Sequence, residues 1–261
     1  FPTGVWDNGS AEVDGDFWIA ETEVTYGLWY EIRIWAEQNG YVFANPGMEG
    51  SAADAENIGG SPTMSRSEPV TMISWLDAVV WCNALSEWLG YELVYLYHNE
   101  AVRDATKSSI ATWIEQSETD GFRLPTPQEW ELAARYKGID RSHWATEYPV
   151  GSGNYWTPGN YASGAAAYNY DEEATAAVAW SPGNSGERTH DVALLMPNAL
   201  GLYDMSGNVA EFCYSWHEDY PEVRGGSWTW MNHGVQVGGV NQTDTTAVKD
   251  YFGFRLVRTA H

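Results

Sequence analysis

The chain has 261 residues, 44% hydrophobic and 19% charged, which is enough apolar material for a packed core and argues against global disorder. Its 13 Lys and Arg stand against 36 Asp and Glu, a net charge of −23 that repels phosphate backbones and anionic membrane surfaces and so argues against nucleic acid as a partner. No apolar run is long enough for a membrane-spanning segment, and Cys82 and Cys213 make neither a disulfide framework nor a CxxC metal site.

Residues 1–15 read as a Gly- and Asp-rich leader or turn region. Phe17–Ala20 and Glu23-Val24 predict a short early strand. Thr25 then caps a predicted helix from about Tyr26 to Gln38, with Leu28, Ile32 and Trp35 on its apolar face and Asn39-Gly40 as its stop. Residues 44–69 read as a loop and Val70–Ile73 as a strand. Ser74 and Asp77 form a capping box that opens a second helix, with Val79, Cys82, Leu85, Trp88 and Leu89 apolar and Gly90 as terminator. Glu92–Tyr97 reads as a strand and 98–119 as a polar insertion. Thr126, Pro127 and Glu129 start a third helix that runs to about Tyr136, followed by Lys137 and Gly138. Residues 139–200 are loop-dominated. The sum is an α+β chain of few helices, short strands and many loops, read as one domain over residues 1–261.

The last segment sets the functional question. Arg224-Gly-Gly-Ser-Trp228 at one end and Phe254–Arg258 at the other look structural: the two glycines permit a tight backbone approach and the closing residues read as a strand. Between them, residues 229–252 mix aromatic, amide and small residues with no period of 3.6 or 2. Such a framed segment is either a binding surface on a scaffold or a long solvated loop. Trp228, Val235, Val237 and Val240 read as core. Elsewhere chemistry is sparse. The six histidines (98, 143, 190, 217, 233 and 261) lack metal-ligand spacing, and there is no phosphate loop, nucleophile elbow or HExxH. Arg123, Arg135 and Arg255 read as partners of buried carboxylates such as Glu129 or Glu131.

Several stretches in order resemble one family. They are Phe17-Trp-Ile with Glu23-Val-Thr25; Pro69-Val70 with Ser74-Trp75; Phe122-Arg-Leu-Pro-Thr126 with Glu129-Trp-Glu131 and Ala133-Ala-Arg135; Gly201-Leu-Tyr-Asp-Met-Ser-Gly-Asn-Val209 with Glu211; Arg224-Gly-Gly-Ser-Trp228; and Gly253-Phe-Arg255. Together they look like the formylglycine-generating (sulfatase-modifying factor) family, over roughly residues 17–258. The resemblance implies a variant of the C-type lectin fold. Enzymes of that family carry a redox-active, copper-binding cysteine pair shortly after the Gly-Gly-Ser motif. Here no cysteine follows Ser227, so no such oxidase activity and no copper are expected.

The Arg-Gly-Gly-Ser-Trp … Gly-Phe-Arg-Leu-Val-Arg frame also resembles the variable regions of proteins diversified by retroelements. That likeness implies a non-catalytic protein displaying a binding site over about 227–253, on a cell surface or outside the cell after removal of a signal or lipoprotein leader. Its partner would be a protein, a small molecule or a glycan. The expected binding residues are Thr229, Trp230, Met231, Asn232, His233, Gly234, Gln236, Gly238, Gly239, Asn241, Gln242, Thr243, Asp244, Asp250, Tyr251 and Phe252. Aromatics in such a surface supply contact area and amides adaptable hydrogen bonds. The family also implies a structural Ca²⁺ held by Asp204, Gly207, Val209 and Glu211, and oxygen-rich donors of this kind suit a hard cation. A second family calcium site, near Asn160 and Tyr161, does not align. The competing function is a formylglycine-generating oxidase acting on a sulfatase cysteine through atypical metal ligands.

Overall fold

The computed structural model describes residues 1–51, 58–63, 67–142, 144–215 and 220–260. His143, His217 and His261 lie outside them. Three helices contribute to the core. Helix α1 spans Tyr26–Gln38, α2 Trp75–Leu89 and α3 Pro127–Arg135. Each starts where its local capping chemistry dictates. The Thr25 hydroxyl accepts from the Leu28 N–H, and full capping boxes form at Ser74/Asp77 and Thr126/Glu129. Gly90 ends α2 in the left-handed conformation at φ +79°. A five-residue helix, α4 (Glu172–Ala176), interrupts the loop-dominated region behind Asp171, whose side chain accepts from the Ala174 N–H.

Two small sheets tie the ends of the chain to its middle. Strands β1 (Phe17–Ile19) and β2 (Phe122–Arg123) flank β7 (Val257–Thr259), which pairs antiparallel with both. The second sheet runs in the order β5 (Asn241–Gln242), β4 (Glu222–Arg224), β3 (Ala210–Phe212), β6 (Phe252–Gly253), with β3 and β6 parallel. Glu23-Val24, expected as strand, is extended backbone that bonds on both sides without forming one: Val24 N–H donates to Phe254 O, and Val24 O accepts from Val70 N–H. The 98–119 stretch folds onto Tyr95–Tyr97 as a small three-stranded sheet with Glu100–Ala101 and Glu115–Gln116.

The main core gathers around stacked Trp29 and Trp81, 5.8 Å apart, with Phe254 edge-on to both. This packing turns α1 away from the expected face. Trp29, Ile32 and Ala36 point inward, Trp35 is half-buried and Leu28 is exposed. Large aromatics rather than the first aliphatic in the pattern choose the buried stripe. Likewise Trp88 and Leu89, at the end of α2, sit at the surface.

Candidate functional site

The C-terminal segment is held at both ends by buried ion pairs. Where β4 ends, Arg224 reaches Glu131 of α3 at 3.2 Å and donates to the Gly239 carbonyl. After β6, the Arg255 guanidinium clamps both carboxylate oxygens of Glu211 at 2.6 and 2.7 Å. Both partners there are fully buried. Such bidentate pairs fix geometry as well as charge. The arginines expected to pair do so, Arg123 with Glu129 and Arg135 with Glu131, but Arg255 takes Glu211, a partner 44 positions away in sequence.

Between the anchors the backbone makes a tight reversal. Gly226 sits at φ +68°, and a Cβ there would lie 2.2 Å from the Gly234 carbonyl oxygen. Only glycine lets the chain pass so close beneath the 3-10 turn Asn232–Gly234. The turn stands up as a ridge. Met231 is 69% exposed at its crest, and Thr229 and His233 are also exposed. Half-buried Trp230 packs against Tyr251 with ring centroids 6.2 Å apart, and the Trp228 indole N–H donates to Asp250 O.

A cavity opens on each side of the ridge. The larger, about 720 Å³, lies between Met231, Asn232 and His233 on one wall and Tyr170, α4 and Ser181–Asn184 on the other. The smaller, about 550 Å³, is bounded by Val5, Trp230, Met231, His233, Gly234, Gln236, Gly239, Val240 and Asn241. The structure therefore gathers Trp230, Met231, Asn232, His233, Gly234, Gly239 and Asn241 around shared concave space. Thr229, Gln242 and Asp244 are exposed but line neither of these two cavities, and Asp250 and Tyr251 are half-buried behind the ridge.

Four expected binding residues are buried. Phe252 packs on Phe212 in the main core. Gly238 lies against the backbone of Gly4, leaving no room for a side chain. Thr243 and Gln236 are each only 8% exposed, the first closing onto Pro221 through its N–H and the second retaining an edge on the smaller cavity. Conversely Val240, expected in the core, is 50% exposed and lines that cavity. Val235 and Val237 are core and Trp228 is half-buried. The leader-like residues 1–15 join the site. Gly4 N–H donates to Glu131, Asp7 pairs with Arg135, and Val5 forms cavity wall.

Sequence reasoning missed the wall opposite the ridge. Asn184 fixes it by accepting from Ser181 N–H at 2.9 Å and donating to the Ala176 and Ala179 carbonyls. The Ser181 hydroxyl reaches across to Asn232 at 3.5 Å. Asp171-Glu-Glu ahead of an alanine-rich run was the available signal for its short helix, since acidic residues favour a helix start.

Of the four residues expected to hold calcium, Glu211 is already engaged within the protein. Both Glu211 oxygens are taken by Arg255, and Trp130 Nε1 donates to one of them at 2.7 Å. Asp204 Oδ2 accepts from Ala193 N–H, while its Oδ1 is buried without a partner. Among the described residues no group of three or more His, Cys, Asp or Glu side chains is placed to hold a metal ion. The guanidinium of Arg255 is the cation around which Glu23, Asp204 and Glu211 are arranged. Burial first, then the neighbouring carboxylates, pushes the Glu23 carboxyl well above the usual range, and burial raises Asp204 as well.

Neither cysteine lies in the C-terminal segment. Cys82 lies within α2 and Cys213 just past β3, both free and fully buried, and burial pushes both thiols up, away from the thiolate form.

A family model described as a sulfatase-modifying factor enzyme 1-like domain matches residues 9–260. The chain belongs to this family. Among solved structures it is similar to CarF, with a TM-score of 0.72 and 29% identity over 94% of this chain and 87% of that one. It is also similar to Treponema denticola variable protein 1, with a TM-score of 0.64 and 28% identity over 94% of this chain and 84% of the other. The chaperone protein LppX of Paenibacillus barcinonensis is 27% identical over 260 residues, covering 94% of this chain and 80% of that protein. These likenesses bear out the α+β, C-type lectin-like fold of the formylglycine-generating type. No helix among the described residues is long and apolar enough to cross a membrane.

Proposed function

We propose that this sulfatase-modifying-factor-like chain is a non-catalytic ligand-binding protein, displayed at a cell surface or outside the cell, whose binding site is the ridge Thr229–Gly234 with the concave surfaces beside it. The observation that carries this reading is the placement of Met231 and His233. They stand exposed on a turn anchored by two buried Arg–Glu pairs, and each lines both cavities. A rigid frame with a solvent-facing aromatic, thioether and amide surface is the physical requirement for a site whose side chains can change without cost to the fold. The likeness to a variable protein of Treponema denticola supports the same reading. The buried thiols and the lack of any cysteine after Ser227 weigh against an oxidase.

The test is a library randomised at Thr229, Met231, Asn232, His233 and Asn241, displayed on phage and selected against a panel of unrelated proteins and glycans. Most members are expected to fold with melting temperatures near that of the parent, and selections against different targets to yield different sequences at those positions. A library whose members mostly fail to fold would show these side chains to be structural, and folded members that never yield a target-specific binder would remove the proposed site.

A further inference from the structure

Away from the ridge, the sheet of β1, β7 and β2 carries an arginine that the rest of the chain does not answer. Arg258 sits on the central strand, opposite Trp18 of β1 and Phe122 of β2. Directly opposed strand residues share a face, so the three side chains form one row. The guanidinium carbon lies 4.0 Å from the Tyr91 ring centroid and 5.5 Å from that of Phe122, and those two rings meet edge to face. Stacking occupies the face of a guanidinium and leaves the donors along its edge for an acceptor. None is supplied. The Arg258 side chain has no hydrogen bond or ion pair among the described residues, and its Nε is buried without a partner. Every other described arginine that is not exposed meets a carboxylate: Arg33, Arg103, Arg123, Arg135, Arg224 and Arg255.

Beside this arginine runs a groove of about 270 Å³, lined by Trp18, Ile19, Phe122, Leu256 and Arg258 among others. It shares no residue with the ridge or the cavities beside it. Trp18 is 69% exposed, so a large flat apolar surface stands open next to an unpaired cation. We propose that this groove binds a small aromatic monocarboxylate, its carboxylate accepting from Arg258 and its ring lying against Trp18, Ile19 and Leu256. The size of the groove sets the ligand. It is at the small end of ligand pockets, with room for a compact ring system and its head but not for a polypeptide or a long acyl chain. Charge sets the head. A guanidinium edge matches a planar carboxylate, while the net charge of −23 repels anions at long range, so a polyanion is opposed and a single charge must be helped by apolar contact. The site is independent of the function proposed for the ridge.

Nitrogen-15 correlation NMR spectra of the whole chain test it with three probes: 2-naphthoate, which has ring and charge, 2-naphthamide, which has the ring alone, and acetate, which has the charge alone. Naphthoate is expected to shift the Arg258 Nε–H and the Trp18 indole N–H saturably. The amide should bind about tenfold more weakly, as loss of a hydrogen-bonded charge would cause, and acetate more weakly still. Arg258→Gln is expected to bring naphthoate down to the affinity of the amide while leaving the amide where it was. Because Arg258 packs against two rings, Arg258→Lys is the second variant. It keeps the charge, loses the flat fork, and should weaken naphthoate about fivefold. Trp18→Ala is expected to weaken naphthoate and amide alike, whereas Trp113→Ala, at a tryptophan 70% exposed elsewhere, changes neither. An amide that binds as tightly as the carboxylate would overturn the proposal. So would a preference for the carboxylate that survives Arg258→Gln, equal losses from Trp18→Ala and Trp113→Ala, or the absence of saturable shifts at Trp18 and Arg258. None of these outcomes bears on the ridge library.

Discussion

Met231 and Phe252 belong to the same irregular segment and have opposite jobs. Met231 has most of its surface in solvent, so Met231→Ala is expected to change stability by no more than about 0.5 kcal/mol. Phe252 is 5% exposed and packs on Phe212, so Phe252→Ala leaves a cavity and is expected to cost about 3–5 kcal/mol. Urea unfolding of the two variants checks both, and similar losses would mean the ridge is part of the core. The buried charge cluster makes a second prediction. Glu23 accepts from Val209 N–H and Asn208 Nδ2, yet its carboxyl titrates well above its ordinary value because it is fully buried beside Asp204 and Glu211. A raised folded pKa means the contribution is complete below the ordinary carboxylate range. It is lost as pH climbs from about 4 towards the raised value, because the unfolded chain releases its proton first. The chain is therefore expected to lose stability from this group on going from acid towards neutral pH. Glu23→Gln should flatten that part of a plot of urea midpoint against pH, and an unchanged slope would place the titrating group elsewhere.

At the scale of elements, the ridge depends on backbone that no side chain can replace. Gly226→Ala would put a Cβ against the Gly234 carbonyl in a backbone conformation that costs an L-residue about 1–2 kcal/mol. The 3-10 turn must shift to admit it. Faster hydrogen exchange is expected at the Gly234 and Val235 amides, which close that turn onto Met231 and Asn232, while the α2 amides keep their protection; unchanged exchange at the turn would show that the close approach is not what shapes the ridge. Elements of this kind were unevenly legible in the sequence. The helix starts were plain, because a capping box is a conversation between residues three apart, as at Ser74 and Asp77. Even there the sequence hid that Asp77 also accepts from the Ala44 and Asn45 N–H groups. The inward face of α1, the burial of Phe252 and the exposure of Val240 were misread, because burial in an irregular chain is decided by partners far away in sequence. The arginine partner of Glu211 was missed for the same reason: Arg255 lies across the sheet. The wall from Tyr170 to Asn184 has no hydrophobic period to announce it, and only contact with the ridge makes it part of a site.

For the whole molecule the dominant fact is charge. A net charge of −23 on a folded chain repels itself more than the same charge spread along an unfolded one, so screening favours the compact state. Thermal unfolding is expected to move upward as monovalent salt rises from low to physiological strength. The same experiment decides between general screening and a specific cation. With Arg255 in the centre of the Glu23, Asp204 and Glu211 cluster, millimolar calcium at constant ionic strength is expected to add nothing beyond the monovalent effect, and a chelator to remove nothing. A cation that binds only the folded chain would raise the melting temperature in proportion to the logarithm of its concentration above its dissociation constant. A calcium titration with that form, abolished by Asp204→Asn, would restore the acidic loop as a metal site and displace the guanidinium from its assigned role. A flat titration leaves the scaffold held by its own arginines, with stability set inside the frame and the ridge free to vary outside it.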